Sequence, residues 1–365
     1  ATTAADMARF ASFLMSDGRV LHGDSARVLV DGALLAAMGK PSGTDAARAG
    51  LPLGYGLGLQ SRERWGLMTQ CHVGNIGTFR AILCILRDQQ RAFFASYSSD
   101  REDARWDHVD SLWAAARHAE PTQYNLAASV TAPSNAGLTS WNGWYVPRPT
   151  RFEQFAYLDA LTPFRVAVNG DSLTLTPLGG TARQLERRHG MTWAAPGRAR
   201  PTHVLLAVGP DRQLSDGQRT LKRVSTAHTW WRWISAAVGA CCVLLLLLRG
   251  VLLAVQRKSM RDPMSWPVVS LLPLALGTAV LLRQPFLAIG DIRWPSVTLA
   301  VGTGLLLATT IGAALATGLR VWRFRHTALG AITPQHVFDG VVTFGAAQWL
   351  ITLALWGLLP LRLWA

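Results

Sequence analysis

The stretch TFRAILCILRDQQRAFFASYS (residues 78–98) decides how the first third of the chain is built. Two apolar runs rich in β-branched and aromatic residues, 78–86 and 91–98, flank Arg87-Asp-Gln-Gln90, which has the polarity of a hairpin turn. Upstream, WGLMTQCH (65–72) and LGYGLGL (53–59) are further short apolar runs, so the whole segment predicts an antiparallel meander. Ahead of it, TTAADMARFASFLMSDG predicts a helix. Thr3 and Asp6 have capping-box spacing, Met7, Phe10 and Leu14 share one apolar face, and Gly18 supplies a stop. A second helix is expected over about 31–38. Downstream, REDARWDHVDSLWAAARHA predicts an amphipathic helix with Trp106, Val109, Trp113 and Ala116 on one side, ended by Pro121.

From about 125 to 225 the pattern changes to short strands and turns. Arg165–Val168 and Leu173–Leu175 flank Asn169-Gly-Asp-Ser172, a strong hairpin signal, and THVLLAVGPDRQL reads as strand, turn and strand. Asp159, Asp171 and Asp211 are read as turn formers, and no site is expected in this β module.

Four segments, about 234–255, 266–283, 296–319 and 338–360, are long and apolar enough for membrane helices. Arg249 could reach the interface from the last turns of the first segment. Small residues in the third, among them Gly302, Gly304 and Gly312, suit close helix packing, and Trp230, Trp231, Trp233, Trp266, Trp294 and Trp322 fall near segment ends. Basic residues concentrate in the 256–265 and 320–337 loops. The positive-inside rule then places those loops in the cytoplasm, with residues 1–229 and the C-terminus outside. The expected localisation is a multi-pass protein of the cell membrane with a periplasmic soluble part. Its first partner is the lipid bilayer.

The net charge of +14 would ordinarily suggest nucleic acid, but only three of the 36 basic residues are Lys and the arginines are scattered. No nucleic-acid partner is expected. The densest group, Arg183, Arg187, Arg188, Arg198 and Arg200, is read as a solvated face. The four cysteines form no C-x-x-C and no metal spacing, and no cofactor is expected. Cys241 and Cys242 read as small hydrophobes in an apolar segment. Cys71 and Cys84 lie on neighbouring predicted strands and could pair in an oxidising compartment if the register allows.

Three stretches taken in order resemble the β-lactamase-related serine hydrolases, which include class C β-lactamases, D-alanyl-D-alanine peptidases and esterases. TAADMARFASFLMSDG resembles the helix before that family's last strands, GYGLGL (54–59) a strand returning to its sheet, and CHVGNIGTFRAILCIL…RAFFASYSS its final meander. In that meander a K-T-G or H-x-G triplet lies on the strand edging the active site, and NGWYVPRP…FRVAVNGDSLTLTPL is similar to a small β module that often follows. The resemblance implies that His72 takes the place of the family's Lys or His, where it orients substrate. It further implies that Gly74 keeps the strand open to substrate. A His near neutrality holds a carboxylate less firmly than Lys, which favours ester or peptide substrates over β-lactams. Taken alone, His72 reads as a strand residue whose ring is hydrogen-bonded, with Gly74 and Gly77 serving a bulge or turn; only the resemblance turns it into a site residue. Tyr55 is expected in the core, and His108 and His118 on a helix surface.

The family's S-x-x-K and Y-x-N motifs are absent. The residues three before Lys40, Lys222 and Lys258 are Ala37, Arg219 and Val255, and no Tyr is followed two residues later by Asn. The family places both motifs ahead of the helix at residue 3, and ATTAADMARF has no signal-peptide pattern, so the expectation is a chain truncated before its nucleophile. The expected fold class is α+β. Residues 1–120 form the C-terminal part of a β-lactamase-like domain with an antiparallel sheet, 121–229 a small all-β module, and 230–365 a four-helix transmembrane bundle. Two functions compete: a membrane-anchored hydrolase acting on a cell-wall peptide, β-lactam or ester, and a non-catalytic membrane binding or sensor protein with a degenerate hydrolase fold. The bundle has no acidic residue mid-span, with Asp339 near an end, which argues against a transporter or channel.

Overall fold

In a computed structural model, helix α1 (Ala4–Met15) starts where the capping signal places it. The Thr3 hydroxyl accepts from the Asp6 N–H at 3.2 Å, and the Asp6 carboxylate accepts from the Thr3 N–H at 3.3 Å. These donors hold the Asp6 carboxyl below its usual range, the Thr3 hydroxyl contributing most. The structure describes residues 2–22, 25–64, 66–76, 78–98, 135–148, 156–198, 200–256, 262–285, 288, 290–325 and 333–364. The helix expected over 101–119, with His108 and His118, lies outside them.

A hairpin follows α1, β1 (Arg19–His22) with β2 (Ser25–Val28), then helices α2 (Gly32–Ala37) and α3 (Asp45–Arg48). The meander is a five-stranded antiparallel sheet in sequence order: β3 (Gly54–Tyr55), β4 (Gln60–Arg64), β5 (Leu67–Ile76), β6 (Phe79–Leu86) and β7 (Arg91–Ser98). Strand β6 is an unbroken buried run from Ile82 to Leu86 because both its faces are covered. Leu83 and Ile85 pack with Ala11, Leu14 and Leu35 on the α1 side, while Ile82 and Cys84 pack with Cys71 on the other. The polar turn after β6 does more than reverse the chain. Its Arg87 guanidinium donates to the carbonyls of Leu14 and Ser16, groups that the end of α1 leaves without helical partners.

Two local expectations are corrected here. The 53–59 run is mostly turn: only Gly54–Tyr55 is strand, and the next strand is the polar stretch Gln60–Arg64. Ser61, Arg62 and Glu63 on it are nonetheless buried, and the Glu63 carboxylate accepts from the Gly66 N–H at 2.7 Å. Tyr55, expected in the core, is 48% exposed.

The β module is a closed eight-stranded barrel. Its strands are β8 (Gly143–Pro147), β9 (Phe164–Asn169), β10 (Ser172–Pro177), β11 (Arg183–His189), β12 (Thr192–Ala194), β13 (His203–Val208), β14 (Asp211–Ser215) and β15 (Thr220–Val224). β8 pairs with both β15 and β9 and so removes the free edges. The interior is filled by a cluster that includes Tyr145, Val166, Leu173, Leu185, Trp193 and Leu214. The Tyr145 hydroxyl donates to the Trp141 carbonyl at 2.7 Å, and burial pushes its pKa up to about 12.

The arginine group expected to form a solvated face is divided. Arg200 is buried, the Arg187 Nε donates to the Gly190 carbonyl at 3.0 Å, and the Arg198 guanidinium donates to the Glu63 carbonyl at 3.1 Å. Arg187 is held within its own β11–β12 turn, whereas Arg198 reaches Glu63 because this side of the barrel packs on the first part of the chain, Val204 and Leu206 meeting Ala46 and Leu51.

Sheet and barrel share one compact unit, Ala1–Pro149 with Thr162–Ser225; Thr150–Leu161 with Thr226–Ala365 form a second. The second unit contains four helical segments long and apolar enough to cross a membrane: Thr226–Val255, Pro263–Leu281, Trp294–Arg323 and Pro334–Leu355. Gly302 permits close packing, since a Cβ there would lie 3.0 Å from the backbone nitrogen of Leu274. The short helix Ala156–Leu161 is tied to the long ones by tryptophans: Trp349 Nε1 donates to the Tyr157 hydroxyl at 3.0 Å and Trp233 Nε1 to the Leu161 carbonyl at 2.9 Å. Arg249 lies 3.1 Å from Asp339, and Arg320 lies 3.6 Å from Asp262. The Arg249 side chain therefore meets a carboxylate on the fourth segment, which supplies the counter-charge that a cation in apolar surroundings needs.

Candidate active site

His72 and Gly74 alternate on β5 and point to the face covered by α1. Along Leu67–Cys71 this strand is paired on both sides, with β4 and β6. The β4 pairing ends at Gln60↔Cys71, whereas the β6 pairing continues to Ile76↔Phe79. From His72 to Ile76, then, β5 has a strand partner on one side only among the described residues. The strand expected at the sheet's rim is interior for half its length and an edge for the other half. The transition falls beside His72.

The cause is the glycine-spaced run before β4. Gly56–Gly58 turns the chain, with Gly58 at φ +91°, and the turn delivers the Gly58 carbonyl to His72. His72 Nδ1 lies 2.9 Å from that oxygen. A carbonyl only accepts, so Nδ1 carries the proton and Nε2 is the nitrogen left for chemistry. In the neutral ring Nε2 is an acceptor. It becomes a donor able to hold a carboxylate only in the imidazolium.

A cavity of about 330 Å³ lies over this stretch. Met7, Phe10 and Leu14 of α1 form one wall, and Leu83 and Phe94 line it from the sheet, with Met38 and Leu59 also contributing. Among the described residues, His72 is the one with a polar side chain in that lining. Gly74 lines it too, and nothing in the fold demands a glycine there. A Cβ at 74 would meet only the Ala81 Cβ, 4.0 Å away, and its φ is not in the left-handed region. What the missing side chain does is leave the cavity open against the strand's backbone.

Among the described residues the site shows no nucleophile. No Ser, Cys, Thr, Lys or Tyr side chain among the described residues lines the cavity, so these residues offer a shaped apolar pocket, one imidazole nitrogen and a strand edge that no described strand pairs. The arrangement suits binding of an extended chain that adds to the edge, with an apolar side group in the pocket. On the opposite face of β5, Cys71 and Cys84 stand in register and are joined by a disulfide. Sequence reasoning missed Gly58 and the α1 side chains as site components. The Gly54, Gly56, Gly58 spacing was the available signal for a turn in place of a strand.

No family profile matches the chain, and no curated protein does. Among solved structures, one described as SurE is similar at a TM-score of 0.31 and 21% identity, covering 54% of this chain and 43% of its own. A second, SurE with D-Leu, is similar at a TM-score of 0.29 and 20% identity, with 54% and 44% covered. The chain thus spans under half the length of these proteins, at a likeness too low to carry fold or function.

Proposed function

We propose that the α1–β5 cavity is one wall of the acyl-transfer site of a membrane-anchored, β-lactamase-related serine hydrolase, acting outside the cytoplasm on a cell-wall peptide, β-lactam or ester. The observation that supports it most is the coincidence at one place of His72, the side-chain-free Gly74 and the start of a strand edge unpaired among the described residues. On this reading the substrate's backbone pairs with His72–Ile76, its apolar group enters the pocket, and Nε2 of His72 accepts from a substrate N–H or hydroxyl. An imidazole holds a carboxylate less firmly than the Lys that can occupy this position, which favours esters and peptides over substrates that depend on a firmly held carboxylate. The nucleophilic Ser and its base belong to polypeptide other than these residues, because no S-x-x-K or Y-x-N occurs among them.

The location outside the cytoplasm draws support from two independent features. The Cys71–Cys84 disulfide suits an oxidising compartment, and the basic 256–265 and 320–337 loops suit the cytoplasmic side.

The test is to read the gene upstream in frame and to treat the protein it encodes with a fluorescent penicillin and a fluorophosphonate. Covalent labelling of a Ser in S-x-x-K is expected, with His72→Ala lowering kcat/KM by about 10–100-fold, the loss of one hydrogen bond to a charged or reacting group. Residues 1–365 alone should turn over neither nitrocefin nor p-nitrophenyl esters. An upstream frame with neither motif, or no labelling, would shift the reading to a non-catalytic binding protein that uses the same pocket.

A further inference from the structure

A second cavity lies in the barrel, where the sequence had suggested no site. It measures about 290 Å³ and opens at one mouth of the closed sheet. Every contributing residue sits at the same end of its strand: Phe164 begins β9, Leu175 and Pro177 end β10, Arg183 begins β11 and His203 begins β13. Leu214, Asp216, Arg219 and Leu221 come from the β14–β15 hairpin. Eight-stranded barrels are just wide enough either to fill with side chains or to hold one small molecule. This barrel does both. Leu175, Leu214 and Leu221 are the top of the packed interior and the floor of the cavity.

The polar groups are placed above that floor. His203 Nδ1 is engaged by the Thr202 hydroxyl at 2.8 Å, which in turn accepts from the Ala195 N–H at 2.9 Å. The other ring nitrogen, Nε2, has no protein hydrogen bond among the described residues. Burial drives His203 below the usual imidazole range, offset in part by Asp216, and Arg183 pushes the same way as burial. Asp216 is already committed: its Oδ1 accepts from the N–H groups of Gln218 at 2.9 Å and Arg219 at 2.6 Å. Arg183 and Arg219 form no ion pair among the described residues, although the molecule has acidic partners for Arg187, Arg188 and Lys222 on the same barrel. Two free guanidinium groups and one satisfied carboxylate leave the rim with a single net positive charge over an apolar well.

We propose that this barrel mouth is a binding site for a small amphiphile with one carboxylate, its apolar body on Phe164, Leu175, Leu214 and Leu221 and its carboxylate held by Arg183 and Arg219. Guanidinium forks match a carboxylate in geometry, and one net charge matches a monoanion better than a phosphate dianion, which would also face Asp216. The volume is at the low end for ligand pockets, so the body is short. The site is independent of the α1–β5 cavity and of any hydrolytic role.

The full chain in zwitterionic lipid nanodiscs can be titrated calorimetrically with hexanoate, hexylamine and hexyl phosphate, using empty discs and an Arg183→Gln/Arg219→Gln variant as references. Both arginines are exposed, so the variant should keep the fold, checked by circular dichroism. Saturable hexanoate binding, weakened by ~10-fold or more in the variant, with no hexylamine binding, is expected. Hexanoate heats equal to those of empty discs, or equal affinity in the variant, would overturn the site. Tighter binding of hexyl phosphate than of hexanoate would overturn the carboxylate assignment.

Discussion

The sheet and the barrel are built from the same short antiparallel strands, yet they treat their edges in opposite ways. The sheet ends the β4–β5 pairing at Gln60↔Cys71 and leaves His72–Ile76 without a strand partner on that side among the described residues, while the barrel closes by pairing β8 with both β15 and β9. An open edge can take an extended chain through main-chain hydrogen bonds, whereas a closed barrel can take a ligand only through its mouth, by shape and charge. The two cavities follow this division. One is an apolar pocket beside a strand edge that no described strand pairs, and the other is an apolar well whose rim carries Arg183, Arg219 and Asp216.

The difference can be tested first by attacking each core. Trp193 is fully buried within the barrel, and Trp193→Ala should cost about 3–5 kcal/mol, enough to unfold the barrel region in chemical denaturation followed by near-ultraviolet circular dichroism. If the sheet's signal survives when the barrel's is lost, the two are separable. If both vanish together, the Val204–Leu51 contact couples them.

A smaller loss is expected from the sheet's covalent link. Cys71→Ser with Cys84→Ser should destabilise the first unit by about 2–4 kcal/mol, the usual range for a disulfide, and reduction of the wild-type protein should do the same. A denaturation midpoint unmoved by reductant would mean that the two thiols are free.

Smaller still is the effect of filling the open pocket. Gly74→Val puts a β-branched residue into a strand where a Cβ meets only Ala81, so stability should change by less than about 1 kcal/mol. Activity of the full hydrolase, or peptide binding to it, should nevertheless fall by more than ~10-fold. Loss of stability with intact binding would show that the glycine serves the fold.

The mildest test uses pH, and it belongs to the barrel. His203 titrates in the folded state below its ordinary value of 6.5, so the unfolded chain binds more protons in that window. Stability is therefore highest above pH 6.5 and declines as pH falls through that value toward the folded one. Its charged and titratable neighbours are Asp216, which opposes the shift, and Arg183, which adds to it. His203→Gln should flatten this part of the stability profile in thermal melts, and an unchanged slope would place the titration elsewhere.

Much of the architecture was legible in the residues. The capping box of α1, the hairpins at Gly170 and Gly209, and the four apolar helices all rest on local rules of spacing, turn chemistry and hydropathy. Helices and hairpins are satisfied by neighbours in sequence, so their signals survive without knowledge of the fold. The errors were of another kind. Gln60–Arg64 drew no strand assignment because its polar residues gave no apolar pattern, and it is a strand whose Ser61, Arg62 and Glu63 the surrounding structure buries. The arginine group looked solvated because sequence proximity says nothing about which side chains a second β structure will cover.

For the candidate sites the same limit applies more strongly. His72 and Gly74 could be singled out from their triplet, and Cys71 could be suspected of meeting Cys84. Composition and local pattern were enough to establish β-rich segments, turns and four bilayer-length helices, because those depend on the chemistry of adjacent residues. Where β4 ends, that Gly58 fixes the His72 tautomer, and that Phe164, Arg183, His203 and Arg219 gather at one rim were decided by strand register and barrel closure alone. Both bring together residues tens of positions apart, and no local energy records which ones will meet.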